Sequence, residues 1–169
     1  MKKIKSLIYI IEQISKWSGI LFAYLTIPII LIMAYGVFMR YYFHSPVSWT
    51  YEISLYLYFI QLVIAGAYGL LYGDHVKMDL FYHRLSQRKK AVIDSITSVG
   101  FFFSVGLVLW IGVKQGWSSY VSGERFPTAN MFLIWPVKLF IPLSALLLLL
   151  QGLTKFIRDI HLAVKGKEI

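Results

Sequence analysis

Long apolar stretches alternate with short polar ones along the whole chain. The clearest runs from Tyr51 to Tyr72, where no Lys, Arg, Asp, His or Pro occurs. Glu52 in its first turn is the only charge, and Gln61 is the one strongly polar side chain further in. At 1.5 Å per residue, such a run crosses a ~30 Å hydrocarbon core as a helix. Comparable runs at about 18–38, 91–113 and 136–157 predict three more spans. Pro28, inside the first, removes a hydrogen bond to Tyr24 and predicts a kink there. Pro136 instead suits the opening turn of the last span.

The polar segments complete the layout. Residues 2–16 place Ile4, Leu7, Ile8, Ile11 and Ile14 at helical spacing, with Lys5, Glu12 and Lys16 on the other side. That pattern predicts an amphipathic helix lying at the membrane interface and leading into an uncleaved first span, since no small-residue cleavage site follows a short apolar core. Arg40, Tyr41, Tyr42 and His44 close the first span, and Ser45-Pro46 marks a turn. The second connection carries Lys77, Arg84, Arg88, Lys89 and Lys90. The one sizeable connection holds Gly123, Glu124, Arg125, Pro127 and Asn130, between the third and fourth spans.

Composition agrees with an all-α integral membrane protein of four transmembrane helices, a single membrane domain over 1–169. The chain is 58% hydrophobic and only 15% charged, whereas soluble domains carry about 25% charge. The net charge of +9 raises the question of nucleic acid. The basic residues sit at the ends of apolar runs instead, and no basic helix face forms, which argues against a nucleic-acid partner. The N-terminal segment, the second connection and the C-terminal end hold most of the Lys and Arg; only Arg40, Lys114, Arg125 and Lys138 fall on the other side. By the positive-inside rule, both termini are expected in the cytoplasm. With no cysteine, disulfides and thiolate metal sites are excluded.

Little in the spans reads as chemistry. A haem anchor needs axial histidines within its helices, but His44, His75, His83 and His161 all fall at span ends or in connections. A proton-coupled exporter needs an acid deep in a span, and Glu52 sits near an interface. Asp94 is expected to cap its helix or pair with Arg88 or Lys90. Gln61 reads as a helix–helix hydrogen bond. Asp79 is four residues from both His75 and His83, a spacing better suited to a hydrogen bond that fixes the turn than to a metal site. Gly69 and Gly73 form one G-x-x-x-G pair, with Ala65 and Gly66 close by, and Gly112 and Gly116 form another. Such pairs let helix backbones approach, either within this chain or against a partner subunit.

In order along the chain, several short motifs resemble the small, DctQ-type membrane subunit of tripartite ATP-independent periplasmic (TRAP) transporters. They are Arg40; Ser48-Trp49 with Glu52; Gly66-Ala67-Tyr68; His75-Val76-Lys77-Met78-Asp79; Phe81-Tyr82 and Leu85-Ser86 with Arg88; Trp135-Pro136-Val137-Lys138; Ile141-Pro142; and Leu149-Leu150-Gln151. The resemblance implies a system in the inner (cytoplasmic) membrane of a bacterium or archaeon. There, a periplasmic substrate-binding protein delivers an organic acid to a membrane pair. The large permease subunit holds the substrate and sodium sites and moves by an elevator-type motion, and the small subunit is a fixed scaffold without a cofactor of its own. The last motif leans towards the branch associated with 2-oxo acids.

On that reading Arg40, Trp49, Glu52, Gln61, Gly66, Gly69, Gly73 and Gln151 are expected in helix or subunit contacts. Arg40 and Glu52 are expected close enough to pair, and His75 with Asp79 to lock the second connection. Lys16, Trp17, Arg88, Lys89, Lys90 and Arg158 are expected to hold phospholipid headgroups. The alternatives are an autonomous homo-oligomeric carrier or channel, and the membrane anchor of an enzyme.

Overall fold

The computed structural model describes residues 2–72, 87–128 and 130–165. Five helices account for nearly all of them: α1 (Lys2–Ala23), α2 (Thr26–Tyr42), α3 (Trp49–Tyr72), α4 (Gln87–Ser122) and α5 (Trp135–Lys165). α1 and α2 together make one apolar crossing, so that four stretches are long and apolar enough to span a membrane. The four-helix membrane class expected from hydropathy is borne out.

The helix ends differ from the hydropathy boundaries, for local reasons. No break separates an interfacial helix over 2–16 from a first span; α1 continues through Trp17 to Ala23 because nothing at 16–18 removes a backbone bond. The interruption falls at Tyr24–Leu25, one turn before Pro28. Pro28 has no N–H for the Tyr24 carbonyl, which accepts from Ile27 N–H at 3.1 Å instead. α4 overruns its apolar zone and ends at Gly123, whose φ of +59° is left-handed. Glu124 N–H there reaches back to the Ser119 carbonyl and Gly123 N–H to that of Tyr120, which closes the helix with a Schellman motif.

α4 and α5 form a long antiparallel hairpin. The Gly112 backbone lies close against Ile141 and Pro142, and Gly116 against Leu139. Asp94 meets Lys155 at 3.2 Å near the other end. That bond reaches across the hairpin to α5. α3 lies beside α5 and runs the same way, with Ile64, Ala67 and Leu147 as its small buried cluster. The first crossing runs antiparallel to α3 along its whole length: Gly19 abuts Tyr68, Thr26 meets Gln61, and Gly36 abuts Thr50. α1 also reaches α5 through Arg158–Glu12 at 2.7 Å.

The interior is unusual for a protein in water. The buried apolar side chains are Ile8, Ile64, Ala67, Ala145 and Leu147, whereas Ser15, Thr50, Glu52, Ser54, Ser119, Ser144, Gln151 and Thr154 are buried and polar. Long apolar side chains such as Leu21, Phe103 and Trp110 point outward. Lipid tails are as apolar as leucine, so burying leucine gains nothing; small and polar residues let helices approach and bond inside.

Candidate functional site

Two layers of polar side chains fix the helices to one another, and they make up the candidate site. The first lies where α1, α3 and α5 meet. Ser15 Oγ donates to Gln151 Oε1 at 3.0 Å, with both residues buried, and Thr154 Oγ1 bonds the Gln151 carbonyl at 2.8 Å. About three turns further along the first crossing, Gln61 Nε2 donates to Thr26 Oγ1 at 2.8 Å, beside the break. Gln61 thus joins α3 to the start of α2.

The second layer is at the opposite end, where α3 begins. Glu52 is 7% exposed, in the first turn, where the helix dipole favours a negative charge. Its Oε1 accepts from Asn130 Nδ2 at 2.8 Å, and Asn130 Nδ2 also donates to Ser48 Oγ at 3.0 Å. Asn130 belongs to the 123–134 connection, which folds back as a narrow ribbon: Phe126 N–H donates to the Phe132 carbonyl at 2.9 Å, and Ile134 N–H to that of Glu124 at 3.0 Å. Tyr56 lies against the Phe126 and Phe132 rings and donates its hydroxyl to the Leu133 carbonyl. Lys138 on α5 bonds Glu124 at 2.5 Å. That bond holds the Glu124 carboxyl below the usual glutamate range.

The remaining residues singled out in the sequence are scattered around these layers. Arg40 is exposed, its guanidinium 5.8 Å from the centre of the Tyr41 ring, and no Arg40–Glu52 ion pair forms among the described residues. Asn130 takes that place because the ribbon folds directly over the start of α3. Trp49 packs its ring 5.9 Å from Tyr35. Gly66 faces Leu148 of α5, and Gly69 is half-buried on α3. Lys16 and Trp17 are exposed on α1, while Lys90 is half-buried. Arg158 is half-exposed and bonded to Glu12. Gly73, His75 and Asp79 lie outside the described residues, and the side chains of Arg88 and Lys89 do too.

Sequence reasoning missed Gly19, Gly36, Asn130 and Ser15. A Cβ on Gly19 would lie 2.3 Å from Tyr68 Cδ2, and one on Gly36 would lie 2.6 Å from Thr50 Oγ1. Gly19 lies in a Ser15-x-x-x-Gly19-x-x-x-Ala23 run, a small-residue spacing that could have found both it and Ser15, whereas Gly36 has Ile32 and Arg40 at those positions and no spacing rule marks it.

Residues 29–162 match the family model described as tripartite ATP-independent periplasmic transporters, DctQ component. The chain belongs to this family. It is therefore a small component of a TRAP transporter, and the family is one of transport components, not of enzymes. Comparison with individual curated proteins gives no match. The match starts in α2 and runs through α5, so it takes in the Glu52–Asn130 layer and Gln151 but leaves out Ser15.

Proposed function

We propose that this DctQ-family chain is the static scaffold of its transporter. It packs in the cytoplasmic membrane against a large elevator-type permease subunit, with both termini in the cytoplasm. The observation that carries the reading is how the polar groups between helices are used. Ser15 with Gln151, Thr26 with Gln61, and Glu52 with Asn130 each bond two different segments of the chain, a pattern that fixes helices in place. A subunit that braces a moving neighbour needs that rigidity. Substrate and sodium sites then belong to the neighbour, and the cargo is an organic acid handed over by a periplasmic binding protein. Lys16, with Trp17 65% exposed beside it, and Arg158 near the end of α5 suit contact with anionic phospholipid headgroups.

The test is affinity purification of the tagged chain, expressed from its native operon, in mild detergent. A large multi-span protein recovered in one-to-one stoichiometry supports the scaffold reading. Recovery of the chain alone as a stable homo-oligomer, with flux in liposomes holding only this chain, overturns it in favour of an autonomous carrier.

A further inference from the structure

At the α3 end of the bundle a pocket of about 410 Å³ opens between the helix and the 123–134 ribbon, lined by Ser48, Tyr51, Glu52, Leu55, Tyr56, Phe126 and Thr128. Two buried side-chain oxygens of its lining residues have no hydrogen-bond partner among the described residues: Glu52 Oε2 and Thr128 Oγ1. The other carboxylate oxygen of Glu52 is held by Asn130, and the Tyr56 hydroxyl by the Leu133 carbonyl. Glu52 and Thr128 thus line an aromatic-walled pocket while each keeps one buried oxygen unused beside it.

We propose that this pocket receives a lysine or arginine side chain of the large membrane subunit, so that Glu52 is one half of an intersubunit ion pair. The proposal rests on the scaffold reading above. A buried carboxylate oxygen left without a donor is costly, and a cationic donor relieves that cost directly. Tyr51, Tyr56 and Phe126 add ring faces that attract a cation and cover its apolar stem. The space is too large for a bare ion, since one water takes roughly 30 Å³. A phospholipid amine fits less well: among the described residues no Lys, Arg or His lines the pocket to receive the phosphate that comes with it.

Tyr51 and Leu55, one turn apart on α3, line the pocket and are 62% and 41% exposed. A neighbour packed along that face of α3, as a second membrane subunit would be, reaches the pocket more directly than a soluble partner does.

The test uses the intact complex from native membranes. Glu52→Gln keeps the shape and an oxygen for Asn130, and Glu52→Lys reverses the charge. A photoreactive residue at Leu55 reports what fills the mouth with Glu52 untouched, so a poorly folding Glu52 variant does not decide the matter. Expected are a tenfold or greater loss of retained large subunit with Glu52→Gln, a full loss with Glu52→Lys, and Leu55 adducts on the large subunit beside a Lys or Arg. Reversing that basic residue should restore the Glu52→Lys complex. Unchanged retention in both variants, or Leu55 adducts on lipid or the binding protein alone, overturns the pocket assignment while the scaffold reading stands. Absence of the large subunit from the unsubstituted preparation overturns both.

Discussion

Ser15 and Gln151, far apart in sequence, meet in the interior of the bundle with a 3.0 Å hydrogen bond between their side chains. Ser15 is 1% exposed and Gln151 3%. Neither side chain has water to fall back on, so removing one leaves the other unsatisfied. Ser15→Ala should lower stability by about 1 kcal/mol, as interhelical bonds in membranes average ~0.6 and reach ~1.7 kcal/mol. A double-mutant cycle with Gln151→Leu, read by unfolding in detergent, should show that coupling. Strict additivity would show that the contact contributes nothing.

The glycines of α4 should respond very differently to the same methyl group. A Cβ on Gly112 meets Ile141 Cγ2 at 3.0 Å and the Pro142 backbone nitrogen at 3.2 Å, whereas one on Gly100 or Gly106 meets nothing within 4 Å. Gly112→Ala should therefore cost about 1–3 kcal/mol through overpacking at a backbone that cannot yield. Gly100→Ala should be neutral or stabilise by up to roughly 1 kcal/mol, through helix propensity alone. Melting temperatures of the two variants in one detergent check the contrast.

Asn130 holds the ribbon to α3 through Glu52 and Ser48. Asn130→Ala removes both bonds and should release the 123–134 connection without melting the helices. Limited proteolysis should then cut within the ribbon several-fold faster than in the unsubstituted protein, while far-ultraviolet circular dichroism stays the same. Equal cutting rates would mean that the Tyr56 and Lys138 contacts hold the ribbon without Asn130.

Glu124 gives a pH dependence of known sign. Its carboxyl is held below the ordinary glutamate range, chiefly by the Lys138 bond, so the folded ribbon binds that proton less tightly than the unfolded chain does. The contribution of the pair is complete above the ordinary glutamate range and fades as the pH falls through the lowered value. Because the site is exposed, the effect is small and weakens with salt. Lys138→Met should move the Glu124 titration upward, as followed by the chemical shift of its carboxyl carbon.

The sequence and the structure agree where hydropathy governs. The four crossings were legible because a ~20-residue apolar run has few other uses. Helix ends were not, because they depend on single backbone events: Lys114 and Trp117 mark where the apolar zone stops, yet α4 continues until Gly123 turns left-handed. The Glu52 layer was half legible. A lone acid at the start of a span is conspicuous, but its partner lies 78 residues away in a connection whose fold no periodicity announces. Arg40 was the charge-based guess, and the ribbon supplied an amide instead. Ser119 and Thr154 were invisible as interior residues because in a membrane protein a polar side chain on a helix reads the same whether it faces a neighbour or an end.

The break at Tyr24–Leu25 divides the first crossing between two sets of neighbours. Below it, α1 is fastened to α5 by Glu12 and Ser15 and to α3 at Tyr68. Above it, α2 buries no residue of its own and leans on α3 through Gly36 and Tyr35. A continuous helix would carry a twist or a tilt from one membrane face to the other. This one is interrupted, so α2 takes its direction from α3 alone, while α1 takes its direction from α3 and α5 together.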